Sequence, residues 1–338
     1  MERPRIEKLR IQNFGCIKDA TFELAPICAL IGPNDSGKST VLRALQLLTD
    51  RQIRLLDSAP FAPVPLSVPS PFNMLFREGA GFEFWSGRHQ WLVALGEMGS
   101  LRRELTEVPE GIPTVAQGSL LVRLDPDSLR RPSPVIGPQE EFSFDRDGHG
   151  LAGILDAIRD RGDRAFEDIR DGLLKLFPAV KYLQLKPVQL GSATQKVLQL
   201  ELTDGTRVPA NLISEGILYF LAFAVIERIE RPAVLLIEEP ENGLHPARIA
   251  DIMAVLRRIS EKTQVVIATH SPLVINEMQG HEVILLTRDA EKGTQARLLK
   301  DTYDYDARSR VFQNGELWLS YANGKDEQAL LSKPQVER

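Results

Sequence analysis

The sequence predicts an α/β fold: a parallel sheet, an antiparallel β subdomain inserted early, and a helical subdomain after it. Three observations predict it. Near the start, a glycine-rich loop joins an apolar strand to a helix. In the closing part, apolar strands alternate with helices, which implies a parallel sheet. Between them lie short runs of alternating apolar and polar residues broken by glycine-rich turns, the mark of antiparallel strands.

The elements follow in order. Residues 5–31 hold two β-like runs, IEKLRIQNF and ATFELAPICALIG, before GPNDSGKST and the helical VLRALQLL. SAPFAPVPLSVPSP over 58–71 carries five prolines, which lack the N–H and fix φ, so it is an extended connector or surface loop. GFEFW, HQWLVALG, LRRELTE and SLLVRLD over 81–125 read as antiparallel strands, and 126–148 reads as loop. Residues 151–177 read as helix with alternating-sign charge on a solvated face, followed by the β runs VKYLQLKPVQL and KVLQLELTDG. A helix over 215–230, the strand AVLLIEE, a helix over 246–260 and the strands QVVIATH and HEVILLT close the pattern.

Composition excludes several classes. Hydrophobic residues make up 43% and charged residues 26% of 338, the balance of a folded chain. Two cysteines, Cys16 and Cys28, give neither a disulfide framework nor a CxxC zinc site and fit a reducing compartment. The formal net charge of −5 makes the average surface no magnet for nucleic acid, though a local basic patch stays open. MERPRIEKLR has no apolar core of a signal peptide. The longest apolar stretch, 217–226, is half of the roughly twenty residues a bilayer needs. The expectation is a soluble, cytoplasmic protein with no membrane partner.

Gly32-Pro33-Asn34-Asp35-Ser36-Gly37-Lys38-Ser39 fits G-x-x-x-x-G-K-[ST] in its strand–loop–helix context. Glycines let backbone N–H groups converge on phosphate oxygens at a helix N-terminus. Lys38 then reaches the β/γ-phosphates and the Ser39 hydroxyl ligates Mg²⁺. AVLLIEEPENGLHP ends a strand on Glu238 and Glu239. There one carboxylate can hold Mg²⁺ and the next can orient or deprotonate water, unless both are plain solvated termination. Ile213-Ser214-Glu215-Gly216 opens an apolar helix as either a simple N-cap or an anion site. His270 closes QVVIATH, either as a satisfied polar residue or as a donor to a γ-phosphate at the same sheet edge.

Taken together, these segments resemble an ABC-type AAA-family ATPase of the OLD/RecF/SMC-like group. KLRIQNFGCIKDATFEL, EEPENGLHP and TQVVIATHSPLVI carry the resemblance, which spans about residues 5–290. It implies a P-loop NTPase with an ABC-type ATPase head fold. Gly32 to Thr40 resemble its Walker A, Ile213–Gly216 its signature, Glu238/Glu239 its Walker B and catalytic glutamate, Glu241–Pro246 its D-loop and His270 its switch histidine. Glu238 stands where many relatives carry Asp, the signature is ISEG in place of LSGG, and Gln139 is the candidate for the Q-loop. The implied layout is an ATPase domain over 1–290, with an insertion at about 55–148 and a helical segment at about 150–230, then a C-terminal extension over 291–338.

The resemblance implies ATP and Mg²⁺ as cofactors and a head-to-tail homodimer, with higher oligomers open. One copy's Gly32–Ser39 loop holds ATP, and Ser214 and Gly216 of the other close over it. Glu239, His270 and Lys38 form the catalytic set. SMC-type coiled coils and an OLD-type Toprim nuclease domain are expected to be absent, and Asp304-Tyr305-Asp306 reads as a solvated acidic turn. The expectation is an ATP-hydrolysing switch controlling a separate nuclease or toxin in bacterial antiphage defence. The alternatives are a RecF-like DNA-binding ATPase in repair and an ATP-bound scaffold with negligible turnover.

Overall fold

A computed structural model describes residues 5–49, 76–86, 89–95, 101–105, 118–137, 140, 142, 145–162, 164–228, 232–289 and 291–322. The proline-rich 58–71 stretch and Gln139 lie outside them. In chain order the strands are β1 (Lys8–Phe14), β2 (Ile17–Glu23), β3 (Ile27–Ile31), β4 (Phe76–Ser86), β5 (His89–Leu95), β6 (Leu101–Leu105), β7 (Ser119–Val122), β8 (Ser133–Pro134), β9 (Val180–Leu190), β10 (Ala193–Leu202), β11 (Arg207–Pro209), β12 (Val234–Glu238), β13 (Gln264–Thr269), β14 (Val283–Asp289) and β15 (Gly293–Leu298). The helices are α1 (Lys38–Thr49), α2 (Pro126–Arg130), α3 (Leu151–Asp160), α4 (Ala165–Leu176), α5 (Glu215–Ile226), α6 (Ile249–Ser260), α7 (Pro272–Asn276), α8 (Tyr305–Arg308) and α9 (Asn314–Ala322).

Two compact units form. The first is Met1–Leu121, Pro232–Glu239 and Ser260–Arg338, and the second Val122–Arg231 and Pro240–Ile259. The first unit holds an antiparallel sheet in the order β2-β1-β4-β5-β6. It also carries the main sheet in the order β15-β14-β3-β13-β12-β7, through whose last strand the chain passes to the second unit. β14, β3, β13 and β12 run parallel; most of their residues are apolar and nearly all are buried, as expected of strands covered on both faces. The run ATFELAPICALIG is two strands, because Pro26 breaks it and β2 and β3 join different sheets. SLLV leaves the antiparallel set for the edge of the parallel sheet, where its apolar pair Leu121 and Val122 is buried.

Helix α1 packs on β1, β12 and β13, burying Val41, Leu42, Leu45 and Leu48 at helical spacing. Phe14 and Phe82 meet edge-to-face at 5.1 Å. The buried Gln264 side chain accepts from the Ile6 amide (3.0 Å) and donates to the Ile6 carbonyl (2.8 Å), tying the start of β13 to the approach of β1.

In the second unit, β9 and β10 form a long hairpin, with β8 and β11 pairing on the other side of β10. The helical run over 151–177 is two helices, turned at Gly162, whose φ is +70°. Asp156, buried on α3, pairs with Lys196 on β10 at 2.9 Å. Tyr219, buried in the apolar run 217–226 of α5, donates its hydroxyl to the Leu124 carbonyl at 3.0 Å. No helix among the described residues is long and apolar enough to cross a membrane.

Candidate nucleotide site

In the first unit, β13 lies between β3 and β12. The loop after β3, the acids at the end of β12 and His270 at the end of β13 therefore reach one sheet edge, the edge where parallel α/β sheets bind ligands. Register fixes the level: Ile31 pairs with Thr269 and Glu238 with Ala268. Glu239 is held past the strand end by its amide, which donates to the Ala268 carbonyl at 2.8 Å, with a left-handed φ of +50°. A non-glycine residue rarely takes that conformation without tertiary support.

The phosphate loop is tightly built. Lys38 is buried, and its ammonium donates to the Gly32 and Pro33 carbonyls, both at 2.8 Å. Burial pushes Lys38 down to about 8, against the raising charges of Glu239 and Asp35. Asp35 turns the loop with φ +63° and Gly37 with φ +105°. Asn34, Asp35 and Ser39 are exposed and Pro33 and Thr40 half-buried, whereas Gly32, Ser36 and Gly37 are buried. Burial, and then the Lys38 charge, lowers His270 below the usual imidazole range, with Glu239 opposing. His270 is thus held as a neutral imidazole near neutral pH.

This arrangement fits a phosphate chain and a magnesium ion. The Ser36 hydroxyl is buried without a hydrogen-bond partner, and the first-turn N–H groups of α1 have no intrahelical acceptors. Ser39 and Glu238 are the groups that could hold Mg²⁺. No cluster of three His, Cys, Asp or Glu side chains able to hold a metal occurs among the described residues. Magnesium needs none, since one or two protein groups, substrate phosphates and water complete its octahedron.

The second unit holds the ISEG segment and the 241–246 loop. Ser214 starts α5 in extended conformation (φ −64°, ψ 147°), but its side chain makes no cap hydrogen bond. Its carbonyl instead accepts from Ile217 and Leu218, so the sequence's side-chain cap is a backbone cap. Gly216 lies against Arg248 and Phe177, and the Arg248 guanidinium stacks 4.7 Å over the Phe177 ring. Gly243, with φ +74°, sits so close to the Glu215 carboxylate that a Cβ would stand 2.4 Å from its oxygen. The ISEG segment and the 241–246 loop are therefore neighbours. Asp304 and Asp306 are exposed, at the start of α8. A half-open cavity of about 340 Å³ among α4, α5 and α6, lined by Gly172, Phe220, Ala224 and Val255, includes none of the predicted site residues.

Sequence reasoning missed Thr294 and the position of Cys16. Thr294 donates to the Ser36 carbonyl at 2.9 Å, and the Cys16 sulfur lies 3.6 Å from the Thr40 hydroxyl. No local pattern marks either residue.

Two family models match the chain. One, described as "AAA domain, putative AbiEii toxin, Type IV TA system", matches residues 117–276, which hold the ISEG segment, both acids and His270. The other, described as "AAA ATPase domain", matches residues 5–76, which hold the phosphate loop. The chain is similar to an OLD nuclease of Thermus scotoductus, 22% identical over 336 aligned residues, covering 84% of this chain and 62% of that protein. It thus spans under two thirds of that relative's length. Its fold matches an Smc head crystallised with the C-winged helix domain of ScpA, with TM-score 0.60, 14% identity and coverage of 87% of this chain and 97% of that one. It also matches the SMC head domain from Thermotoga maritima, with TM-score 0.51, 15% identity and coverage of 87% and 98%.

Proposed function

We propose that this chain, an ABC-type AAA-family ATPase of the OLD/SMC-like group, is a cytoplasmic ATP-hydrolysing switch whose two copies close head to tail on nucleotide and so control a separate effector. One observation carries the reading: Lys38, Glu239 and His270 lie close enough at one sheet edge to act on one another's charge.

In this reading the loop N–H groups and Lys38 cradle the β- and γ-phosphates. Ser39 and Glu238 hold Mg²⁺, which when bound polarises the phosphate oxygens. Glu239 orients a water on the γ-phosphorus and takes its proton as the bond to the bridging oxygen breaks. Neutral His270 hydrogen-bonds a γ-phosphate oxygen. Ser214 and Gly216 of the second copy close over the same phosphate, which makes the interface isologous with C2 symmetry. Hydrolysis removes the contacts that favour the closed state, so occupancy sets the dimer population. The effector is a nuclease or toxin in antiphage defence. The OLD nuclease likeness and the toxin named in one family description support that class.

The test is turnover and nucleotide-dependent dimerisation of Glu239→Gln. Expected is a loss of at least 100-fold in turnover with ATP binding kept and a dimer accumulating on ATP, whereas Lys38→Ala loses binding. Wild-type turnover in Glu239→Gln would sink the assignment of the base. Recovery of a nuclease by the ATP-trapped dimer supports the effector role. Steeply salt-sensitive duplex binding with ATP would point to a DNA clamp instead.

A further inference from the structure

We infer that Thr294 is a positioning residue of the nucleotide site, acting on the phosphate loop from a strand that follows every recognised motif. The inference rests on the loop's proposed role in binding ATP. Thr294 is the second residue of β15 and is completely buried. Its Oγ1 donates to the Ser36 carbonyl at 2.9 Å. The Ser36–Gly37 peptide is planar and trans, so its C=O and N–H point in opposite directions. Holding that carbonyl toward Thr294 therefore aims the Gly37 N–H the other way. The loop's N–H groups are what a phosphate chain would bind, and a carbonyl swung among them would repel it.

The surrounding packing supports the same reading. A Cβ on Gly37 would stand 2.9 Å from Thr294 Oγ1 and 3.4 Å from its Cγ2, so the threonine fills the space that this glycine leaves. From the adjoining strand, the Leu286 carbonyl oxygen would lie 2.2 Å from a Cβ on Gly32. The β14–β15 hairpin thus walls the loop at both of its motif glycines. The hairpin is itself anchored to β2. Lys18 donates to the Glu291 carbonyl at 2.6 Å, and Gly293, with φ +76°, lies beneath the Lys18 side chain.

The experiment is equilibrium binding of ATP, with steady-state kinetics alongside, for wild type, Thr294→Val, Thr294→Ser and Thr294→Ala. Valine keeps the volume and removes the donor, so the Ser36 carbonyl is left buried without it. Expected is a rise of about tenfold in Kd and KM, with kcat within about twofold. Serine keeps the hydroxyl and is expected within about twofold of wild type in all three quantities. Should valine fail to fold, the serine–alanine pair decides: serine near wild type with alanine weakened supports the role. Valine binding like wild type, or serine as weak as alanine, overturns it. A wild type that binds no ATP overturns the reading of the loop itself, a different result from wild-type binding that Thr294→Val leaves unchanged.

Discussion

Lys38 carries a prediction that can be checked by titration alone. Burial brings its ammonium to about 8 from the ordinary 10.5. Between those values the unfolded chain binds the extra proton, so the cost of burying the charge is present below pH 8 and relieved as pH rises toward 10.5. A bound triphosphate favours the charged form, so ATP binding above pH 8 takes up a proton. Affinity then falls as pH rises through 8, at up to about tenfold per pH unit. Calorimetry at pH 9 in two buffers of different ionisation enthalpy is expected to show uptake approaching one proton per site, and zero uptake would refute it. The chemistry of Lys38 was legible in the sequence from its place in the motif. Its shift was not, because burial in the folded chain produces it, against the opposing charge of Glu239 some two hundred residues away.

At the scale of elements, the short helix after His270 is gripped by α9. The Gly315 amide donates to Asn276 Oδ1 at 2.7 Å, and the Asn314 side chain donates to the Met278 carbonyl at 2.8 Å. A Cβ on Gly315 would stand 2.1 Å from the Pro272 carbonyl oxygen, and backbone cannot yield as a flexible side chain can. Gly315→Ala is therefore expected to cost about 1–3 kcal/mol and to lower the melting temperature by several degrees. ATP affinity should stay within about threefold, since the phosphate loop is held from β3, α1, β14 and β15. Scanning calorimetry of the variant with unchanged melting would show that the two helices part freely. Periodicity announced most of the elements but assigned SLLV to the antiparallel set. Strand partnership depends on which apolar faces meet, and a window of seven residues does not contain the other face.

For the whole molecule, the proposed cycle takes the phosphate loop from the first unit of one copy and the ISEG segment from the second unit of the other. Ser214 is exposed and its hydroxyl caps nothing in its own helix, so a bulky cation there should leave the fold intact. Ser214→Arg, placed in the Glu239→Gln background, is expected to bind ATP normally and remain monomeric by light scattering. As a single change it is expected to lose at least tenfold in turnover. Unaltered ATPase activity in Ser214→Arg would mean that the second copy's segment takes no part.

The sequence by itself determined the phosphate loop, the acids at one strand end, the histidine at another and the alternation that makes the sheet parallel. These are local facts: a glycine-bounded turn before a helix exposes its own N–H groups, and apolar periodicity shows in a short window. Only the tertiary structure decided that β13 separates β3 from β12, which sets His270 beside both Lys38 and Glu239. It alone placed Thr294 under the loop and set Gly243 against Glu215. Strand order and such close approaches follow from burying apolar faces that are remote along the chain, a free energy that belongs to no single segment.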